Sequence, residues 1–234
     1  FLFRWRAALN HVPDSHLYNP TFQPWLGLGE FRQLYDEIAG NTLITREAAW
    51  ALYSLARQTL SIPGDFLEAG VYRGGTARLF RRLLDTSGHQ RTLHLFDTFG
   101  GMPETNRTLD IHREKDFLDT SVEAVSTFIG TEEWICYHKG FIPDTFKRLE
   151  NVRFAFAHID VDIYQSVLDC CGFIYPRVVP GGILVFDDYG LPSCPGARVA
   201  VDAFFQDKPE IPFVLHSGQA IVFRTAGRQY EEEA

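Results

Sequence analysis

Two stretches constrain this chain more than any others: FAFAHID at residues 154–160 and ILVFDD at residues 183–188. Each is a short apolar run rich in β-favouring residues, and each ends in acid and runs on into a helix-like segment. A strand with one wet face alternates polar and apolar residues. An almost unbroken apolar run instead requires burial on both faces, which is how a parallel strand under two helical layers reads. The expected fold class is therefore α/β, with Asp160 and the Asp187-Asp188 pair gathered at the carboxyl edge of one sheet, where open α/β sheets bind ligands. A helix N-cap would account for one acid at each strand end. Three acids exceed that need, and their natural counterpart is a divalent cation.

The remaining elements follow in order. Residues 1–30 carry Pro13, Pro20 and Pro24 among aromatics with no sustained period, which predicts an irregular arm. EFRQLYDEIAG predicts a short helix stopped at Gly40, and Thr45 caps a stronger one with Ala49, Leu52, Ala56 and Leu60 on one stripe. GDFLEAGVYRGGTARLF predicts a strand over 66–70, a glycine turn and a helix from about Thr76. Its glycines let backbone approach a ligand, and the helix start offers free N–H groups. RTLHLFD is a second strand ending in Asp97, an acid positioned to accept hydrogen bonds from a ribose diol. Residues 100–120 are polar and of mixed charge, a length of loop that predicts a lid. SVEAVSTFIG is a helix, EEWICYHKG a third strand and FIPDTFKRL a turn into a helical segment. Phe141 at that corner is either an adenine neighbour or a core aromatic. VVPGG is expected to turn into the fifth strand. IPFVLH and QAIVFR form a closing hairpin, and residues 226–234 a charged tail.

At 234 residues with a formal charge of −8, the chain can bury a sizeable core and lacks the cationic excess of a nucleic-acid surface. No apolar run nears the roughly 20 residues that span a bilayer. The four cysteines form no CxxC pair and read as buried thiols of a reducing compartment. The expectation is a soluble, cytoplasmic protein acting on a small molecule, with no nucleic-acid or membrane partner and with homo-oligomerisation open.

The glycine turn lacks the GxGxxG dinucleotide fingerprint, and its ExGxxxGG form resembles motif I of class I S-adenosylmethionine-dependent methyltransferases. GDFLEAGVYRGGTARL, FDTFGGMPE, GFIPDTF, HIDVDIYQSV and DDYGLPSCPGARVAVDAFF together resemble the successive motifs of the macrocin O-methyltransferase family, from about Asn41 to Arg224. FGGMPE replaces the more usual FEGLPE, and EAGVYRGG replaces ECGVWRGG. The resemblance implies a Rossmann-like sheet of seven strands, mostly parallel, with a C-terminal antiparallel strand and helices on both faces. It implies a methyltransferase domain over 41–225 behind an arm and helix at 1–40. It implies S-adenosylmethionine bound by Glu68, Ala69, Gly70, Tyr72, Gly74, Thr76, Asp97, Thr98, Gly140, Phe141 and Asp160. Magnesium or another divalent cation would be held by Asp160, Asp187 and Asp188. The implied activity is O-methylation of a sugar hydroxyl on a glycosylated natural product, as in antibiotic biosynthesis, with a catechol-type acceptor as the alternative.

Methyl transfer uses both the glycine turn and the acids. An oxidoreductase or a non-catalytic nucleotide-binding module would leave the acids idle, and a metal hydrolase would leave the turn idle. For the proton of the acceptor hydroxyl, Asp160 is the first choice, with Asp162 and His158 as alternatives.

Overall fold

The structure, a computed structural model, describes residues 22–88 and 91–226. Most of the expected arm and nearly all of the expected tail lie outside the described residues. Two helices come first, α1 (Glu30–Ile38) and α2 (Arg46–Gln58), the latter capped as expected by the Thr45 hydroxyl, which accepts from Ala48 N. Strand and helix then alternate through β1 (Asp65–Ala69), α3 (Gly75–Ser87), β2 (Leu93–Asp97), α4 (Val122–Ile129), β3 (Ile135–Lys139), β4 (Phe154–Ile159), α5 (Tyr164–Ile174), β5 (Val178–Phe186) and α6 (Pro195–Phe205). The chain closes with β6 (Phe213–Val214) and β7 (Ala220–Phe223).

The sheet has seven strands in the order β3-β2-β1-β4-β5-β7-β6. β1 to β5 pair in parallel, while β7 pairs antiparallel with both β5 and β6. Side-chain alternation along the strands divides the core in two. Phe66, Leu93, Leu95, Phe156, Ile183 and Val185 pack under α1 to α4, and Leu67, Ala69, Phe96, Ala157, Leu184 and Phe186 pack under α5 and α6. The crossovers reverse direction between β1 and β4, so the crevice outside their carboxyl ends is the switch point where such sheets take ligands.

One expectation needs correction. VVPGG is not a turn before the fifth strand but its first half: Val178 pairs with Phe154 and Ile183 with Phe156, so β5 carries extra residues in a bulge that is exposed at Pro180 and Gly181. Proline cannot donate to a ladder, but a bulge has no need of that donor, and Gly181 takes the positive φ of +82° that the detour requires. FIPDTFKRL does turn into a helical segment, the 3-10 stretch Asp144–Arg148. All four cysteines are free, three of them buried, and among the described residues no helix is long and apolar enough to cross a membrane.

Candidate active site

The site begins where β1 and β4 end. Gly70 N donates to Phe96 O and Asp160 N to Ala69 O, both at 2.8 Å, which fastens the three central strand ends together. A Cβ on Gly70 would lie 1.6 Å from the Asp160 carbonyl oxygen, so only glycine permits this approach. Beyond it, the loop to α3 is held from β2. Asp97 Oδ2 accepts from Val71 N and Tyr72 N, both at 2.8 Å, and Oδ1 accepts from Phe99 N at 2.6 Å.

A cavity of about 420 Å³ opens at this edge. Of the residues expected to bind a cofactor, Gly70, Tyr72, Thr76, Asp97, Thr98, Gly140, Phe141 and Asp160 line it. Glu68, Ala69 and Gly74 do not. Ala69 is core, Gly74 makes the left-handed cap of α3, and Glu68 is wholly buried. Phe141 is 55% exposed, which removes the core-aromatic alternative.

Asp160, Asp162, Asp187 and Asp188 reach the same cavity. Ligand atoms of Asp160, Asp162 and Asp188 lie within 4.8 Å of one another, as do those of His158, Asp160 and Asp187. Asp160 therefore belongs to both clusters. Asp162, an alternative proton acceptor in the sequence reading, is brought into the acid group itself. Its signal was the two-residue spacing in HIDVD, but only its left-handed φ of +58° turns it inward. Burial raises the Asp160 and Asp188 carboxyls well above their usual range, and the charges of neighbouring aspartates raise them further. No lysine or arginine lines the cavity among the described residues. Four oxygen-donor side chains with no cationic side chain lining their cavity suit a hard divalent cation.

His158 is the satisfied core histidine anticipated as the commoner case. Nδ1 lies 2.9 Å from Glu68 Oε1 and Nε2 3.4 Å from Asp187 Oδ1. Burial opposes its charge, yet the hydrogen bonds to Asp187 and Glu68 outweigh it and lift His158 to about 9. Burial pushes Glu68 upward at the same time. We place the proton on His158, because it has carboxylate acceptors on both sides. Protonated, it donates to both carboxylates. Gln219 adds a second anchor, donating from Nε2 to Asp187 Oδ1 at 2.7 Å. Nothing in the sequence flagged Gln219, which arrives from the closing hairpin. The segment at 100–120 covers the cavity with Met102, Pro103, His112, Phe117 and Thr120. His112 Nε2 stands 3.7 Å from Asp162 Oδ1, to which Cys194 Sγ donates at 3.3 Å. Neither of these partners was expected.

The profile of the macrocin O-methyltransferase (TylF) family matches residues 39–217. The chain belongs to this family. Among curated relatives, demethyldecarbamoylnovobiocin O-methyltransferase of Streptomyces niveus is 31% identical over 156 residues, covering 62% of this chain and 59% of the relative. The 8-demethyl-8-(2,3-dimethoxy-alpha-L-rhamnosyl)-tetracenomycin-C 4'-O-methyltransferase of Streptomyces olivaceus is 30% identical over 145 residues, with 57% and 56% covered. The chain thus spans less than two thirds of the length of either relative. Among solved structures, the O-methyltransferase NovP superposes with a TM-score of 0.71 at 26% identity, over 80% of this chain and 83% of that one.

Proposed function

We propose that the protein transfers a methyl group from S-adenosylmethionine to a sugar hydroxyl of a glycosylated small molecule, with a divalent cation, magnesium foremost, at the acid cluster. The observation that carries this reading is that the glycine-built loop and the acids open into one cavity. Membership of the macrocin O-methyltransferase family and the sugar-directed name of the tetracenomycin relative support it. When bound, the donor supplies an activated methyl group and the cation lowers the pKa of a neighbouring hydroxyl.

The rest is the work of this chain's residues. Asp97 and Thr98 face the cavity where a ribose would lie, and Phe141 offers an exposed ring at the rim for adenine. Asp160, Asp187 and Asp188 would hold the cation, with Asp187 kept in orientation by His158 and Gln219, the usual service of groups behind a ligand. Leu43, Ile44, Met102, Phe117 and Leu191 give the opposite wall an apolar character suited to an aglycone. Asp160 is grouped with Asp187 in one cluster and with Asp188 in another, which suits it to hold the cation beside both. Asp162 Oδ1 instead faces His112, which provides an onward partner for a proton. We therefore assign the proton to Asp162, with Asp160 second.

The deciding experiment incubates the protein with S-adenosylmethionine and panels of glycosylated and catechol acceptors. Methylation of a glycosylated acceptor, abolished by chelator and restored by magnesium, is expected. Methylation of catechols alone would favour the aromatic diol. Full turnover in excess chelator, or in Asp188→Ala, would remove the cation from the reading. Asp162→Asn should lose turnover even under saturating magnesium, and Asp160→Asn should weaken magnesium binding more strongly as well as lose turnover.

A further inference from the structure

The carboxylate to which we give the proton stands in an unfavourable backbone conformation. Asp162 has φ +58°, a region that a non-glycine residue holds only where its surroundings over-determine it. Three contacts do so, beside the turn that Ile163 N closes on Val161 O at 2.6 Å across Asp162 itself. Asp160 N donates to Ala69 O at 2.8 Å, before the strained residue. Asp162 N donates to Asp188 Oδ2 at 2.9 Å, at the residue itself. Tyr164 N, after it, donates to Asp110 Oδ1 at 2.8 Å.

The third contact is unusual in its origin. Tyr164 opens α5, whose N-cap position is Ile163, a residue with no side-chain acceptor, so α5 has no cap of its own. The missing acceptor is carried 54 residues away by the 100–120 segment. Asp110's other oxygen, Oδ2, accepts from Asn106 N at 2.9 Å and so ties the carboxylate into its own segment. The opposite wall is shaped to receive it. A Cβ on Gly196, in the first turn of α6, would lie 2.0 Å from Asp110 Oδ1 and 3.0 Å from Tyr164 N. Two residues on, His112 stands over Asp162.

We infer that Asp110 is a positioning residue for the proton acceptor: seated against Gly196, it caps α5 from the covering segment and so completes the clamp that keeps Asp162 turned inward. The geometry of Asp162 is then complete only while the segment is docked. An undocked segment removes the cap and His112 together, so chemistry is confined to the covered state. A charge-assisted contact at a helix start is a strong form of such a cap.

The inference rests on the methyl-transfer reading only in its turnover arm. Three variants are compared with the unaltered protein. Asp110→Ala removes the acceptor. Gly196→Ala leaves Asp110 in place but fills its seat. Asp110→Asn keeps one acceptor oxygen for Tyr164 and sets an amide against Asn106 N. Amide hydrogen exchange at Tyr164 should speed up about tenfold in Asp110→Ala and Gly196→Ala, the value of one lost hydrogen bond, and less in Asp110→Asn. Exchange in β1 should not change. With an acceptor substrate, kcat should fall about 100-fold in the first two variants while affinity for S-adenosylhomocysteine stays unaltered, as expected of a misplaced group. Unchanged Tyr164 exchange in Asp110→Ala overturns the inference even if no substrate is turned over. Unchanged kcat in Asp110→Ala, or a loss of kcat matched by loss of cofactor affinity in all three variants, overturns it as well. Exchange that behaves as expected in a chain that methylates nothing would keep the clamp and discard the functional reading.

Discussion

At the scale of a single residue, Asp97 has a structural job beside the ribose contact proposed for it. The sequence places it at the end of a strand, where an acid suits a ribose diol. In the structure its two oxygens already accept three backbone N–H groups, from Val71, Tyr72 and Phe99, so it also builds the loop that would meet the cofactor. Tyr72, at φ +50°, depends on it in the way that Asp162 depends on its own clamp. Asp97→Ala should therefore weaken S-adenosylhomocysteine binding by about 2 kcal/mol, roughly 30-fold, and lower the melting temperature of the ligand-free protein too. Calorimetry and thermal unfolding together check this. A pure ligand contact would move only the first.

At the scale of elements, the junction of β1 and β4 determines whether there is a site at all. Gly70 holds φ +86° directly against the Asp160 carbonyl. Gly70→Ala should cost more than about 4 kcal/mol in chemical denaturation, or prevent folding, since no side-chain rotation relieves a clash between two backbones. Thr45→Ala removes only the cap of α2 and should cost about 1 kcal/mol without altering cation affinity. If the two substitutions prove equally mild, the close approach of the strand ends is not what organises the cavity.

At the scale of the molecule, a chain of formal charge −8 gathers five carboxylates in one cavity, those of Asp97, Asp160, Asp162, Asp187 and Asp188. Burial and mutual repulsion raise Asp160 and Asp188 above the ordinary 3.8. The sign follows from linkage. A carboxyl raised in the folded state binds more protons folded than unfolded, so the cation-free protein loses stability as pH rises above about 3.8. A cation bound to the ionised acids offsets that loss. The melting temperature should therefore rise more with saturating magnesium at pH 8 than at pH 5, and Asp188→Ala should lessen the difference. An equal shift at both pH values would mean that the ion binds elsewhere.

The chain by itself determined the layers, the strand ends and the identity of the acids. Those features rest on local patterns: apolar runs for strands buried on both faces, helical stripes, glycines where backbone must pass backbone. Asp160, Asp187, Asp188, Asp97 and Gly70 were legible because each directly follows such a pattern. VVPGG misled for the same reason, since proline and two glycines mark a bulge as readily as a turn. What the tertiary structure alone decided is which side chains stand behind and above the acids. Gln219 reaches Asp187 from 32 residues away, His112 reaches Asp162 from the covering segment, and Asp110 caps a helix 54 residues downstream. A contact across such a separation leaves no period and no neighbouring partner in the chain. It exists only once the sheet has brought its loops to one edge.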